Sequence, residues 1–162
     1  MADPYLERMS SLGRTVFLAM IPVNLFLVVW VWFGRLAFGA GGWFLLILML
    51  SVVPALLVAL LLTTVLSFRG SVSPRSLTRA QAVLHLVVWA GMLVFGFFLV
   101  DFGDAPESDL SAFTQVVGRT DTTLSISWTV TSISAVVTVV AWLALLVALI
   151  AQRRRRAASA LA

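Results

Sequence analysis

The sequence predicts an all-α integral membrane protein: a bundle of four antiparallel transmembrane helices with a short interfacial helix in the last outer loop. Three observations predict it. The 162 residues are 61% hydrophobic and only 11% charged, where a soluble domain carries about 25% charged residues. Four apolar runs are each long enough to cross a hydrocarbon core of roughly 30 Å as a helix. The arginines, finally, segregate to alternate ends of those runs.

The length suits one membrane domain over residues 1–162, with no separate soluble domain. At the N-terminus, Asp3 and Pro4 suit a cap and a first helical position. Tyr5, Met9 and Leu12 then share a face, so residues 4–12 read as an interfacial helix. The first span covers about 15–33. It holds Pro22 and Asn24 and ends in Trp30, Trp32 and Phe33, residues that favour the headgroup level. This run exceeds the roughly 7–15 residues of a signal-peptide core, so an uncleaved span is expected. A Gly-rich turn with Arg35 as its only charge leads to the second span, about 43–66, where Pro54 is expected to kink the helix.

A basic connection with Arg69, Arg75 and Arg79 precedes the third span, about 80–101, and Thr78 is placed to cap it. Asp104 to Leu124 forms the longest loop. Leu110, Phe113, Val116 and Val117 recur in it at helical spacing, which predicts the interfacial helix at about 109–117, ended by Gly118. The fourth span, about 126–150, runs into Arg153, Arg154, Arg155 and Arg156. Along it Ser127, Thr131, Ser134, Thr138, Ala141 and Ala148 trace one heptad seam of small residues, the pattern that lets membrane helices approach closely.

Nine arginines fall on the side of the termini and the middle connection; only Arg35 and Arg119 fall on the other. The positive-inside rule then places both termini in the cytoplasm of a plasma membrane. The absence of Lys beside eleven Arg, with strong Ala, Val and Leu usage, suggests a bacterial inner membrane. Of these, Arg69, Arg75, Arg79, Arg153, Arg154, Arg155 and Arg156 are expected to contact anionic headgroups, at about 1 kcal/mol each near the surface. Their position beside apolar runs argues against a nucleic-acid footprint.

Candidate chemistry is sparse. Zero cysteines exclude thiolate and disulfide chemistry, and zero lysines exclude Schiff bases. His85 is the only histidine, about 7–8 Å into its span at 1.5 Å per residue. It is the one cofactor-binding candidate, though a neutral imidazole bonded to a carbonyl or to Gln81 explains it more simply. Asn24 lies about 14 Å deep, where an amide serves as a hydrogen bond between helices. Asn24, Asp101, Ser127, Thr131, Ser134 and Thr138 together form a candidate outward-facing polar pocket, with Asp101 at its rim. The outer half of the third span, with Gly91 and Gly96, is the expected packing partner of the hydroxyl seam. No catalytic set, metal site or cofactor is predicted.

These features favour a small polytopic protein that is not an enzyme and acts as a subunit or accessory of a membrane assembly. Its expected partners are the bilayer, anionic lipid on the cytoplasmic face, and a second copy or another membrane protein. An alternative is a transporter or channel component using the outer polar pocket. A third reading is a haem-binding redox subunit with His85 paired across a dimer.

Overall fold

The computed structural model describes residues 11–70, 76–104 and 108–159. Their regular structure is helical: α1 (Ser11–Phe33), a 3-10 turn (Gly34–Phe38), α2 (Phe44–Leu50), α3 (Val52–Gly70), α4 (Arg79–Phe98), α5 (Ala112–Val117) and α6 (Asp121–Ser159). Four of these are long and apolar enough to cross a membrane: α1 with its 3-10 extension, α3, α4 and α6. The expected interfacial helix at 4–12 lies outside the described residues.

Pro22 sits inside α1 without interrupting it. Pro54 acts differently. The expected kink appears as a complete break at Ser51, which separates α2 from α3. Proline has no N–H to offer the carbonyl four residues back, and its ring crowds that carbonyl. The helix therefore restarts at Val52, which puts Pro54 in a first turn where no donor is needed. Ser51 closes the end of α2 by donating its amide and its hydroxyl to the Ile47 carbonyl.

Thr78 caps α4 reciprocally with Gln81: its hydroxyl accepts from the Gln81 amide, and its own amide donates to the Gln81 side chain. Ser111 plays the same part for α5 with Thr114, and Gly118 ends that helix at φ 98°. The helix expected at about 109–117 starts later, at Ala112, because Leu110 is drawn into an antiparallel bridge with Asp101. The last span is longer than the sequence suggests. At 1.5 Å per residue, the 39 residues of α6 reach about 58 Å, well beyond the roughly 30 Å of a bilayer core. Thr120 and Thr123 extend it at one end by mutual capping, and its other end continues through the arginines.

Around the helix ring α1 packs on α4, α4 on α6, α6 on α3 and α3 on α1. Consecutive α3 and α4 make no packing contact among the described residues. The start of α4 meets the start of α1, where the Leu77 amide donates to the Gly13 carbonyl. It also meets the far end of α6, where Gln81 Nε2 donates to Gln152 Oε1. The α4–α6 contact is the most extensive. The core buries Phe17, Met20, Leu27, Val88, Met92 and Leu145 between these helices. As a result α1 and α4 bury roughly twice the share of their apolar windows that α3 and α6 do.

Candidate functional site at the polar centres of the helices

A helix in lipid must satisfy its polar groups within the protein. In this chain they gather at three levels. The middle level is centred on Asn24, which lies on the face of α1 between α3 and α4. Its Oδ1 accepts from Trp89 Nε1 at 2.8 Å, and its Nδ2 donates to Thr64 Oγ1 at 3.2 Å. One amide thus joins three helices. Interhelical bonds of this type contribute about 0.6 kcal/mol on average and up to ~2. Replacing Asn24 by Ala strands the buried Trp89 N–H, so the expected loss is about 1–3 kcal/mol, read as a lower unfolding midpoint in detergent. N24L should lose no less, since added volume does not satisfy the indole.

Asn24 and Thr64 also form the floor of a groove of about 360 Å³ between α1 and α3, walled by Leu25, Val28, Val58 and Leu61. That size falls within the range of small-molecule sites, in which a few polar groups converge in an apolar wall.

The inner level lies on α4. Gln81, His85 and Trp89 are four residues apart and so share one stripe. His85 is buried, with Nδ1 3.2 Å from the Gln81 carbonyl. A carbonyl only accepts, so Nδ1 carries the proton and Nε2 holds the lone pair. Nε2 has no hydrogen-bond partner among the described residues, and the ring meets Trp89 edge-on. The local carbonyl bond is the simpler of the two roles foreseen for this residue. Among the described residues no group of three or more His, Cys, Asp or Glu side chains could hold a metal ion.

The outer level is where sequence reasoning missed most. Asp101 and Arg35 are both fully buried, with Arg35 Nε 3.2 Å from Asp101 Oδ2. Asp101 also accepts three backbone amides: Gly42 at 2.8 Å on Oδ2, and Phe44 at 2.8 Å and Phe102 at 2.9 Å on Oδ1. Its own backbone exchanges two bonds with Leu110, and Trp43 N donates to the Phe102 carbonyl. The turn after α1 and the turn after α4 are thereby joined through one carboxylate. Gly42 is required there, because a Cβ would overlap the Phe102 carbonyl oxygen and press on Asp101 Oδ1. The guanidinium is held electrostatically and lies over the Phe44 ring at 5.9 Å; its N–H groups make no directed hydrogen bond among the described residues.

The six residues grouped as an outer polar pocket are therefore distributed among separate settings. Asn24 serves the middle level and Asp101 the outer one. Ser127 bonds to Ser111, tying α6 to the α5 cap at 3.0 Å. Ser134 and Thr138 donate to the carbonyls of Thr131 and Ser134 on their own helix. Thr131 Oγ1 is buried without a hydrogen-bond partner among the described residues. The seam is a packing surface: a Cβ on Gly91 of α4 would overlap the Thr138 hydroxyl. Gly96 is not part of it. Gly96 makes room for Trp30 of α1, whose Nε1 donates to the Leu93 carbonyl at 3.0 Å.

Of the arginines expected at headgroups, Arg69, Arg79, Arg153, Arg154 and Arg155 are exposed. Arg75 and the Arg156 side chain lie outside the described residues. The Gln81–Gln152 bond brings Arg79 and the Arg153–Arg155 run to the same end of the molecule. Consecutive helical residues are set about 100° apart, so the run wraps the outer side of α6 as a partial collar. Comparison with protein families, with curated proteins and with solved structures gives no match.

Proposed function

We propose that this chain is a non-enzymatic subunit or accessory of a membrane assembly. On this reading it is a bundle of four antiparallel spanning helices in a plasma membrane, the bacterial inner membrane, with both termini in the cytoplasm. The observation that carries the proposal is the use made of the intramembrane polar groups. Asn24, Trp89, Ser127, Ser134 and Thr138 join helices or bond back to their own helix, so these polar residues build a scaffold. Burial of the seam under α4 favours this over transport through an outer polar pocket. The barer α3 and α6 are the faces left for a neighbouring membrane protein or a second copy, and the arginine collar suits anionic headgroups around the inner end of α6.

The oligomeric state in a mild detergent tests the proposal. The expected protein mass, after subtraction of detergent, exceeds one chain or matches a stoichiometric complex. A strictly monomeric protein with no stoichiometric partner overturns it. Orientation is tested separately. Because the chain has no cysteine, single replacements give clean labels. Ala158→Cys, at an exposed position near the end of α6, should react with an impermeant maleimide only after cells are opened, and Thr122→Cys in intact spheroplasts. The reverse pattern would refute the cytoplasmic termini.

A further inference from the structure

The break at Ser51 divides one apolar run into two helices that are held very differently. Before the break, α2 is fixed to the outer junction. Phe44 N donates to Asp101 at 2.8 Å, and Trp43 N to the Phe102 carbonyl at 2.9 Å. The Trp43 indole donates to Asp104, and the Trp32 indole of α1 to the Leu45 carbonyl. After the break, α3 leans on its neighbours. Thr64 takes the Asn24 amide and the Ala59 carbonyl takes the Trp142 indole, both at 3.2 Å, the long end of the usual range. Phe68 adds a ring contact with Phe17.

The buried hydroxyls of α3 bond within α3. Thr63 donates to the Ala59 and Leu60 carbonyls, and Ser67 to the Thr63 carbonyl. Groups satisfied in this way need no neighbour in lipid, so they travel with the helix. Asn24 keeps its bond from Trp89 when Thr64 departs. The helix ring also permits departure. Among the described residues α1 and α6 make no packing contact with each other, so α1, α4 and α6 form an open trio with α3 across its mouth. Only 22% of the apolar window of α3 is buried, against 39% for α1 and 44% for α4. Segments with few buried contacts are the ones that open below the global unfolding free energy.

We propose that Ser51 is a hinge about which α3 swings as a unit, away from the α1–α4–α6 trio, while α2 stays in place. Pro54 maintains the hinge, since it withholds the amide that the Leu50 carbonyl would need to fuse the two helices. The Asn24–Thr64 bond is the latch. Swung out, α3 uncovers Asn24 and, behind it, the Trp89 indole. The device is a lateral gate to the middle polar level.

The cysteine-free chain allows spin-label pairs to be read by double electron–electron resonance in nanodiscs. Dilution with unlabelled protein restricts the signal to distances within one chain. Three pairs at exposed positions suffice. Leu61→Cys with Leu86→Cys reports α3 against α4, Leu46→Cys with Leu93→Cys reports α2, and Leu18→Cys with Leu86→Cys reports α1. The α3 pair should show a second, longer distance, and the other two pairs a single one. Thr64→Val should raise the ratio of long to short distances about threefold, the equivalent of one average interhelical bond. Pro54→Leu should suppress the longer distance by joining α2 to α3.

A single narrow distance for the α3 pair, in both the unaltered chain and Thr64→Val, overturns the proposal. So do longer distances in the α2 and α3 pairs together, because the two helices would then loosen as one body with no hinge at Ser51. A longer distance that persists unchanged in folded Pro54→Leu protein also overturns it. None of these results bears on the oligomeric mass, so the assembly proposal stands or falls independently.

Discussion

Replacing Asp101 by Ala is expected to cost about 3–5 kcal/mol, enough to prevent accumulation of the folded protein. Truncating one partner of a buried ion pair leaves the other charge uncompensated. Here it also takes the acceptor from the part-buried amides of Gly42, Phe44 and Phe102. The isosteric Asn should fail too. Both carboxylate oxygens accept backbone N–H bonds, so either orientation of an Asn amide points its NH2 group at a donor. The Arg35 side of the pair behaves differently. Its guanidinium makes no directed hydrogen bond among the described residues, and without it Asp101 keeps all three amides. R35M should therefore cost less than either Asp101 variant, about 1–3 kcal/mol. Unfolding midpoints in detergent check the order. An R35M protein less stable than D101A would show that the cation, and not the carboxylate, organises the outer end.

The contrast between the spans and this outer junction shows what a sequence of this kind discloses. All four helices long and apolar enough to cross a membrane follow from hydropathy, because a bilayer imposes a length and a polarity that a single window can detect. The Thr78 cap is equally local. The Arg35–Asp101 junction is not, since its partners are far apart in the chain and each has a plainer explanation nearby. Arg35 passes for a loop charge and Asp101 for the first of several outer carboxylates. One signal was present. Arg35 opposes the positive-inside bias at the very end of an apolar run, and a charge placed against that bias invites a search for its counter-ion. The six-residue polar pocket rests on depth and on the heptad seam of the fourth span. Depth ranks residues along the membrane normal but not around each helix, and the second coordinate separates Asn24 and Asp101 from the hydroxyl seam. It also separates Gly96, which accommodates Trp30, from Gly91, which meets Thr138.

The Gly91 contact carries the second large prediction. Without a bilayer-driven hydrophobic effect between them, α4 and α6 are held by close packing, and small residues set how near they come. A single methyl at position 91 would overlap Thr138 Oγ1, with the Thr138 Cβ a further 3.2 Å neighbour and the Ser134 carbonyl at 3.6 Å. The Thr138 hydroxyl cannot simply turn aside, because it is bonded to the Ser134 carbonyl at 2.7 Å. G91A is thus expected to cost about 1–3 kcal/mol, the usual penalty for overpacking, and G91L more. T138A alone should be nearly neutral, since it removes a hydroxyl that bonds only within its own helix. The double variant G91A/T138A should recover most of the loss, because the offending oxygen is gone and the remaining Cβ needs only a few tenths of an ångström. Non-additivity of that sign, measured by a double-mutant cycle on unfolding in detergent, is the signature of direct contact. Additive losses would mean that α4 and α6 do not meet at this point. The small-residue seam of α6 would then be free to line a cavity, and transport would regain the support that its burial removes.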